Sequence, residues 1–211
     1  MKELIIVGAG GFGRELVHLS KECLGFGDDF TVVGFIDDTV EDLKNDQCYP
    51  PVLGTIESHH IKENQVFVCS ISDVRARLEV ISCLLKKGAT FINLVHKTAR
   101  IAETAKLGIG CVFGPLVSLG ADVVIGDFCL FQTGVIVGHD VEIYANSRVD
   151  NYSILVAGAK LMKNTTVHSN AVINSNVVVG EGAVVGACSF VIRNVLADTT
   201  VFGNPAKRLI N

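Results

Sequence analysis

Leu130 to Val149 reads LFQTGVIVGHDVEIYANSRV. Its bulky apolar residues Phe131, Val137, Ile143 and Val149 fall six apart. The same spacing continues in both directions without a gap. Backwards it runs through Ile125, Leu119, Phe113 and Leu107 to Ile101, and forwards through Leu155, Leu161, Val167, Ile173, Val179 and Val185 to Val191, sixteen positions in all. About 40% of residues in an average chain are this apolar, so chance would give such a run about once in a million trials. The residue four places after each is small or β-branched, as at Ala105, Cys111, Val117, Cys129, Val141, Ser153, Ala171 and Ser189. A period of six matches neither a helix nor a simple alternating strand. It predicts a hexapeptide solenoid, three hexads to a coil, with every sixth side chain inside. Residues 18 apart then stack, one coil rising by about 4.8 Å. The tail from Asp198, with Val201, Phe202, Gly203, Asn204, Pro205, Ala206 and Lys207, breaks the period and is expected to cap the last coil and hide its strand edges.

The composition changes near residue 93. Before it, Lys2–Val7, Thr31–Ile36, Val66–Ser70 and Thr90–Asn93 read as short strands. Between them, Gly11–Leu24 and Ser72–Lys87 read as helices. The alternation predicts a small parallel, Rossmann-like α/β domain over residues 1–92, too short for a six-stranded dinucleotide fold. Residues 93–211 form the solenoid with its C-terminal cap.

The whole chain has 211 residues, 49% of them hydrophobic and 19% charged, which predicts a folded protein. A net charge of −4 and the lack of a Lys/Arg cluster give no reason to expect nucleic acid. No apolar run is long enough to span a membrane. The start, Met1-Lys2-Glu3-Leu4, lacks the features of a signal peptide. Seven cysteines without a CxxC pair suggest reduced thiols in a cytoplasm. Cys111 and Cys129 lie one coil apart at the small inward position, where they read as core thiols.

Two motifs carry possible chemistry. Gly8-Ala9-Gly10-Gly11-Phe12-Gly13 is a G-x-G-x-x-G between a strand and a helix. Such glycines let backbone approach a phosphate at a helix N-terminus. The second strand ends in Asp37-Asp38, where a carboxylate can accept from a ribose or a base. The same glycines also suit a tight turn without a ligand. The second motif is Gly138-His139-Asp140. His139 falls at a coil corner and stacks between Ala121 and Ala157, which leaves room beside the ring. Asp140 stacks on Asp122, and carboxylates there can orient the imidazole for general-base work. A solvated surface histidine is the plain alternative. His96, His139 and His168 share no stacked column, so no metal site is expected.

Taken together these residues resemble the bacterial sugar O-/N-acyltransferases of the NeuD/PglD type. The resemblance spans the chain, from the glycine turn and Phe35-Ile36-Asp37-Asp38, through Asn93-Leu94-Val95-His96-Lys97-Thr98-Ala99 and Val137-Gly138-His139-Asp140, to the closing Val201–Lys207 segment. It implies a left-handed parallel β-helix and a homotrimer with active sites between subunits. It also implies acetyl-CoA as donor and a nucleotide-activated sugar of a surface-glycan pathway as acceptor. His139 would be the base and Asp140 its support, with Gly8, Gly10, Gly11, Phe12, Gly13, Asp37 and Asp38 at the sugar nucleotide. Ala157, Gly158 and Ala187 would line the CoA arm. The favoured reaction is N-acetylation of a 4-amino-deoxy sugar, with O-acetylation of a sialic-acid-like sugar second. A non-catalytic trimeric nucleotide-sugar binder is the alternative of another class. Arg148 and Gln132 stand where members of the family carry His and Asn.

Overall fold

A computed structural model describes residues 1–39 and 48–209. The chain divides into two compact units, Met1–Lys97 and Thr98–Asn211.

The first unit is built on three parallel strands, β1 (Lys2–Val7), β2 (Phe30–Ile36) and β3 (Gln65–Cys69), in the order β2-β1-β3. In central β1, Leu4, Ile5, Ile6 and Val7 are fully buried. Helix α1 (Gly11–Ser20) follows β1, and α2 (Val74–Lys86) follows β3. The Asp73 side chain caps α2 by accepting from the backbone N–H groups of Arg75 and Ala76. The fourth strand expected at Thr90–Asn93 is reduced to one parallel bridge, Phe91 to Phe67, and the next strand is Leu94–Val95. Helix α1 stops at Ser20, four residues before Leu24. There the Ser20 hydroxyl donates back to the Val17 carbonyl, which ties the last turn to itself.

The second unit is the left-handed β-helix. Each hexad contributes a two-residue strand, and the strands stack as three parallel faces with a register of 18. Face one contains Leu130–Phe131, Arg148–Val149 and Thr166–Val167. Face two contains Ser118–Leu119, Ile136–Val137, Ile154–Leu155, Val172–Ile173 and Phe190–Val191. Face three contains Val124–Ile125, Glu142–Ile143 and Lys160–Leu161. The second residue of each of these pairs points inward and is buried, as the period of six requires. Phe113 and Phe131 stack in the core with ring centres 5.2 Å apart.

Between strands the chain turns a corner, and the residue three places after each core position from Leu107 to Val185 takes a left-handed backbone. Gly110, Leu116, Asp122, Phe128, Gly134, Asp140, Asn146, Tyr152, Gly158, Asn164, Asn170, Asn176, Gly182 and Cys188 all have φ between 57° and 70°. Glycine, Asn and Asp fill most of these places because they tolerate that region.

The period slips earlier than Asp198. Val195 bridges Val179, and Val201 pairs with Val185, each 16 residues on where earlier coils advance 18. Two residues are missing from the final hexad after Val191. Thr200–Phe202 then closes the coil and pairs antiparallel with Lys207–Arg208, which covers one open edge.

Candidate active site

In the first unit, the glycine turn sits at the carboxyl ends of β1 and β3, the usual ligand end of a parallel sheet. Gly8 has φ +98°, and a Cβ there would lie 2.7 Å from Ser70 Oγ. The Ser70 hydroxyl lies 2.8 Å from the Val7 carbonyl oxygen and 2.9 Å from that of Gly8, which binds the end of β3 to the turn. A Cβ on Gly13 would overlap the Gly8 carbonyl, so close packing of helix on strand requires glycine. Gly10 and Gly11 differ, since a Cβ on either meets nothing within 4 Å. Their backbone faces open space at the start of α1, where N–H groups favour an anion.

Asp37 closes the turn from the other side. Its carboxylate accepts from Ala9 N at 2.6 Å, and from Thr39 N at 2.8 Å and Thr39 Oγ1 at 2.7 Å. Burial pushes this carboxyl up, but the three hydrogen bonds outweigh it and hold it below the usual range. Asp38 accepts from Ile56 N at 2.7 Å. Both aspartates therefore hold the loop's own backbone, whatever else they meet. Phe12 is half-buried in the first turn of α1.

In the second unit, His139 stands at the corner between faces two and three. Asp140 N donates to the Ala121 carbonyl, and Gly158 N donates to the His139 carbonyl, each at 3.0 Å, so the stack on Ala121 and Ala157 is in place. His139 Nδ1 lies 2.7 Å from Asp140 Oδ2. The two side chains are 67% and 65% exposed. With Asp140 as acceptor the ring proton sits on Nδ1, and the lone pair on Nε2 faces outward. This arrangement can take a proton from a bound nucleophile. Ala157 and Gly158 lie one coil on at the same corner, whereas Ala187 is on the corner between faces one and two. A single copy of the chain does not bring Ala187 beside His139.

A second imidazole–carboxylate pair lies on that other corner. Asp150 Oδ1 accepts from Arg148 Nε at 2.5 Å, and Oδ2 from Arg148 Nη2 at 3.1 Å. Oδ2 also lies 3.0 Å from His168 Nδ1. The Asp150 side chain is 6% exposed. Sequence reasoning missed this cluster, although the signal was present, since Asp150 and His168 are 18 residues apart and must stack.

The thiols of Cys111 and Cys129 are buried, and the Cys129 side chain together with burial pushes Cys111 well above the ordinary thiol range. A cavity of about 510 Å³ lies on face three between Lys106, Val124, Glu142, Tyr144 and Lys163, but neither His139 nor the glycine turn lines it. Among the described residues no group of three or more His, Cys, Asp or Glu could hold a metal ion. Among them, too, no helix is long and apolar enough to cross a membrane.

Comparison with known proteins gives these sites a context. Residues 3–84 match the PglD N-terminal domain, and residues 158–193 match the bacterial transferase hexapeptide repeats. The chain is similar to PglD-type proteins in its first unit and to hexapeptide acyltransferases in its second. It is 27% identical over 163 residues to GDP-perosamine N-acetyltransferase of Escherichia coli O157:H7, covering 74% of this chain and 67% of that protein. Its fold is similar to the acetyltransferase domain of PglB from Neisseria gonorrhoeae FA1090, solved with acetyl coenzyme A, at TM-score 0.87 and 25% identity over 99% of both chains. PerB from Caulobacter crescentus, solved with CoA and GDP-perosamine, shares the fold at TM-score 0.86 and 23% identity, over 99% of this chain and 98% of that one.

Proposed function

We propose that this chain transfers an acetyl group from acetyl-CoA to the amine of a nucleotide-linked 4-amino-deoxy sugar destined for a surface glycan. The observation that carries the proposal is the exposed His139–Asp140 pair in a chain whose curated relative is a GDP-perosamine N-acetyltransferase. The amine nitrogen attacks the thioester carbonyl, and His139 Nε2 takes the proton that the nitrogen loses. The C–S bond breaks, and the imidazolium returns the proton to the departing CoA sulfur. The products are the amide and free CoA, with no acyl-enzyme. Asp140 keeps the ring oriented throughout.

In this reading the open backbone at Gly10 and Gly11 takes the diphosphate, and the turn formed by Gly8, Phe12, Gly13, Asp37 and Asp38 holds the rest of the nucleotide. Ala157, Gly158 and Ala187 line the CoA arm. The solenoid assembles as a homotrimer. Support comes from the outward side of face two, where Ile136 is 48% exposed and Ile154, Val172 and Phe190 continue an apolar stripe.

The test is a panel of GDP-, UDP- and dTDP-linked 4-amino-deoxy sugars and free sialic acids, assayed for CoA release and for acetylated product by mass. Turnover on an amino-sugar nucleotide is expected. Turnover on sialic acids alone would replace N- with O-acetylation. Binding without turnover on any acceptor would favour a non-catalytic nucleotide-sugar-binding trimer.

A further inference from the structure

The cavity of about 510 Å³ on face three is lined by neither His139 nor the glycine turn. His139 lies at the corner where the chain enters that face, and Tyr144 lies where the chain leaves it. The volume suits a small organic molecule, since ligand pockets span about 300–1,000 Å³. Stacking of the coils makes the floor. A Cβ on Gly108 would lie 2.6 Å from Asp127 N, and one on Gly126 would lie 2.6 Å from Ala145 N. Glycine is therefore required at both places, and neither puts a side chain over the floor. Val124, which is 42% exposed, remains as an apolar surface beside them.

Tyr144, one coil above Val124, is a fixed aromatic wall. Its hydroxyl donates to Glu142 Oε2 at 2.9 Å, and Lys160 Nζ lies 2.7 Å from Glu142 Oε1. Hydrogen bonds from Lys160 and then Tyr144 hold the Glu142 carboxyl below its usual range, so it stays charged and already has its partners. Asp127, at the edge of the floor, accepts from Ile109 N through Oδ1 at 2.9 Å. The two lysines of the lining differ from Lys160. Lys106 stacks one coil below Val124, about 4.8 Å away along the axis. Lys163 lies two coils above Asp127, over the small Ala145. Both are exposed, and among the described residues no hydrogen bond or ion pair engages either ammonium group. Lys106, Lys160 and Lys163 stand against Asp127 and Glu142, a balance that favours a negative ligand. An inorganic anion would leave the floor and the ring without a partner. A neutral apolar molecule would leave both free ammonium groups without one. A flat organic anion matches all of them.

We propose that the face-three cavity is a second ligand site, which takes an aromatic anion bearing a carboxylate or a phosphate. The ring lies on Val124 against Tyr144, and the anionic group pairs with Lys106 or Lys163 at the ends. Glu142 and Lys160 touch no ligand and keep Tyr144 in place. All of these residues belong to the solenoid of one copy, and the proposal does not rest on the acetyl-transfer reading.

The probe is anilinonaphthalene sulfonate, an aromatic anion whose fluorescence rises when its rings leave water, titrated against the full chain. Saturable binding is expected. Val124→Glu puts a carboxylate on the floor at an exposed position, so the unfolding midpoint should not move while the affinity falls roughly 10-fold or more. An unchanged affinity in Val124→Glu overturns the proposal, because the probe then sits elsewhere. The double variant Lys106→Ala, Lys163→Ala should weaken the probe by a similar factor and leave binding of the uncharged phenylnaphthylamine as in wild type. A double variant that holds the sulfonate as tightly as wild type also overturns the proposal. Tyr144→Ala removes the wall and should weaken the probe roughly 5-fold or more, whereas Tyr144→Phe keeps the ring and most of the affinity. Two competitors then separate the acid groups. Indoleacetate offers a carboxylate and AMP a phosphate, and the one that displaces the probe from wild type names the group. Displacement by neither counts against the proposal.

Discussion

His139 and Asp140 are neighbours in the chain, and both stand in solvent. His168 and Asp150 are 18 residues apart, and their carboxylate is 6% exposed and doubly held by Arg148. The two pairs look alike in a list of contacts, yet they are built for different work. An exposed pair contributes little to stability and is free to meet a substrate. A buried carboxylate held by a guanidinium and an imidazole is part of the structure, and breaking it disturbs the corner itself. Exposure separates a pair that can meet a substrate from a pair that holds the corner together.

The largest expected effects test that separation. Asp150→Ala removes the partner of a mostly buried guanidinium and should cost about 3 kcal/mol, read by denaturant unfolding of the assembled protein. Asp140→Asn keeps a residue that tolerates φ +59°, so its unfolding curve should match wild type. Its turnover should fall on the order of 10-fold or more, because the ring loses its orienting charge. If Asp140→Asn destabilises as much as Asp150→Ala, the contrast between the two pairs is wrong.

A core position sets the scale for both. Leu155 is fully buried, and Leu155→Ala should cost about 2–5 kcal/mol, with no specific effect on the acceptor KM of the fraction that remains folded.

The glycine turn gives a pH test. Asp37 has a folded-state pKa below its unfolded value, so it stabilises above the unfolded value and loses that contribution as pH falls through the folded one. Acid unfolding of the first unit should therefore begin at higher pH in wild type than in a variant whose turn does not depend on this carboxylate. Asp37→Asn should show a weaker acid dependence and a lower stability at pH 7. The thiols give a smaller effect. Burial pushes Cys23 up to about 12 and Cys69 up to about 11, so both should resist alkylation at pH 8 while exposed Cys188 reacts. Smallest of all, Leu116→Asn should stabilise by up to about 1 kcal/mol, since Leu116 is 60% exposed in a left-handed corner.

Most of the fold was legible because its period is covalent. A core residue every sixth place fixes which side chains are inside, and the register of 18 follows by stacking. The same period placed His139 on a corner between two alanines. What escaped reading depends on atoms the period does not count. Asp37 was legible as a carboxylate able to accept from a ribose or a base, but its bonds from Ala9 and Thr39 were not, a local matter of where the loop's backbone donors point. The left-handed corners at Leu116, Phe128 and Tyr152 were hidden because those residues disfavour that conformation. The early slip before Val195 was hidden because Val191 still keeps the phase. The Asp150–His168 pair was within reach, since the stacking rule applied to acids as well as alanines would have joined them.

The central claim is that His139 is the base of an acetyl transfer. The most direct measurement is turnover of His139→Ala with acetyl-CoA and the best acceptor of the panel, beside acetyl-CoA binding and sedimentation of the same protein. The account predicts a fall in kcat on the order of 100-fold or more, with assembly and acetyl-CoA affinity unchanged. Turnover equal to wild type would contradict it.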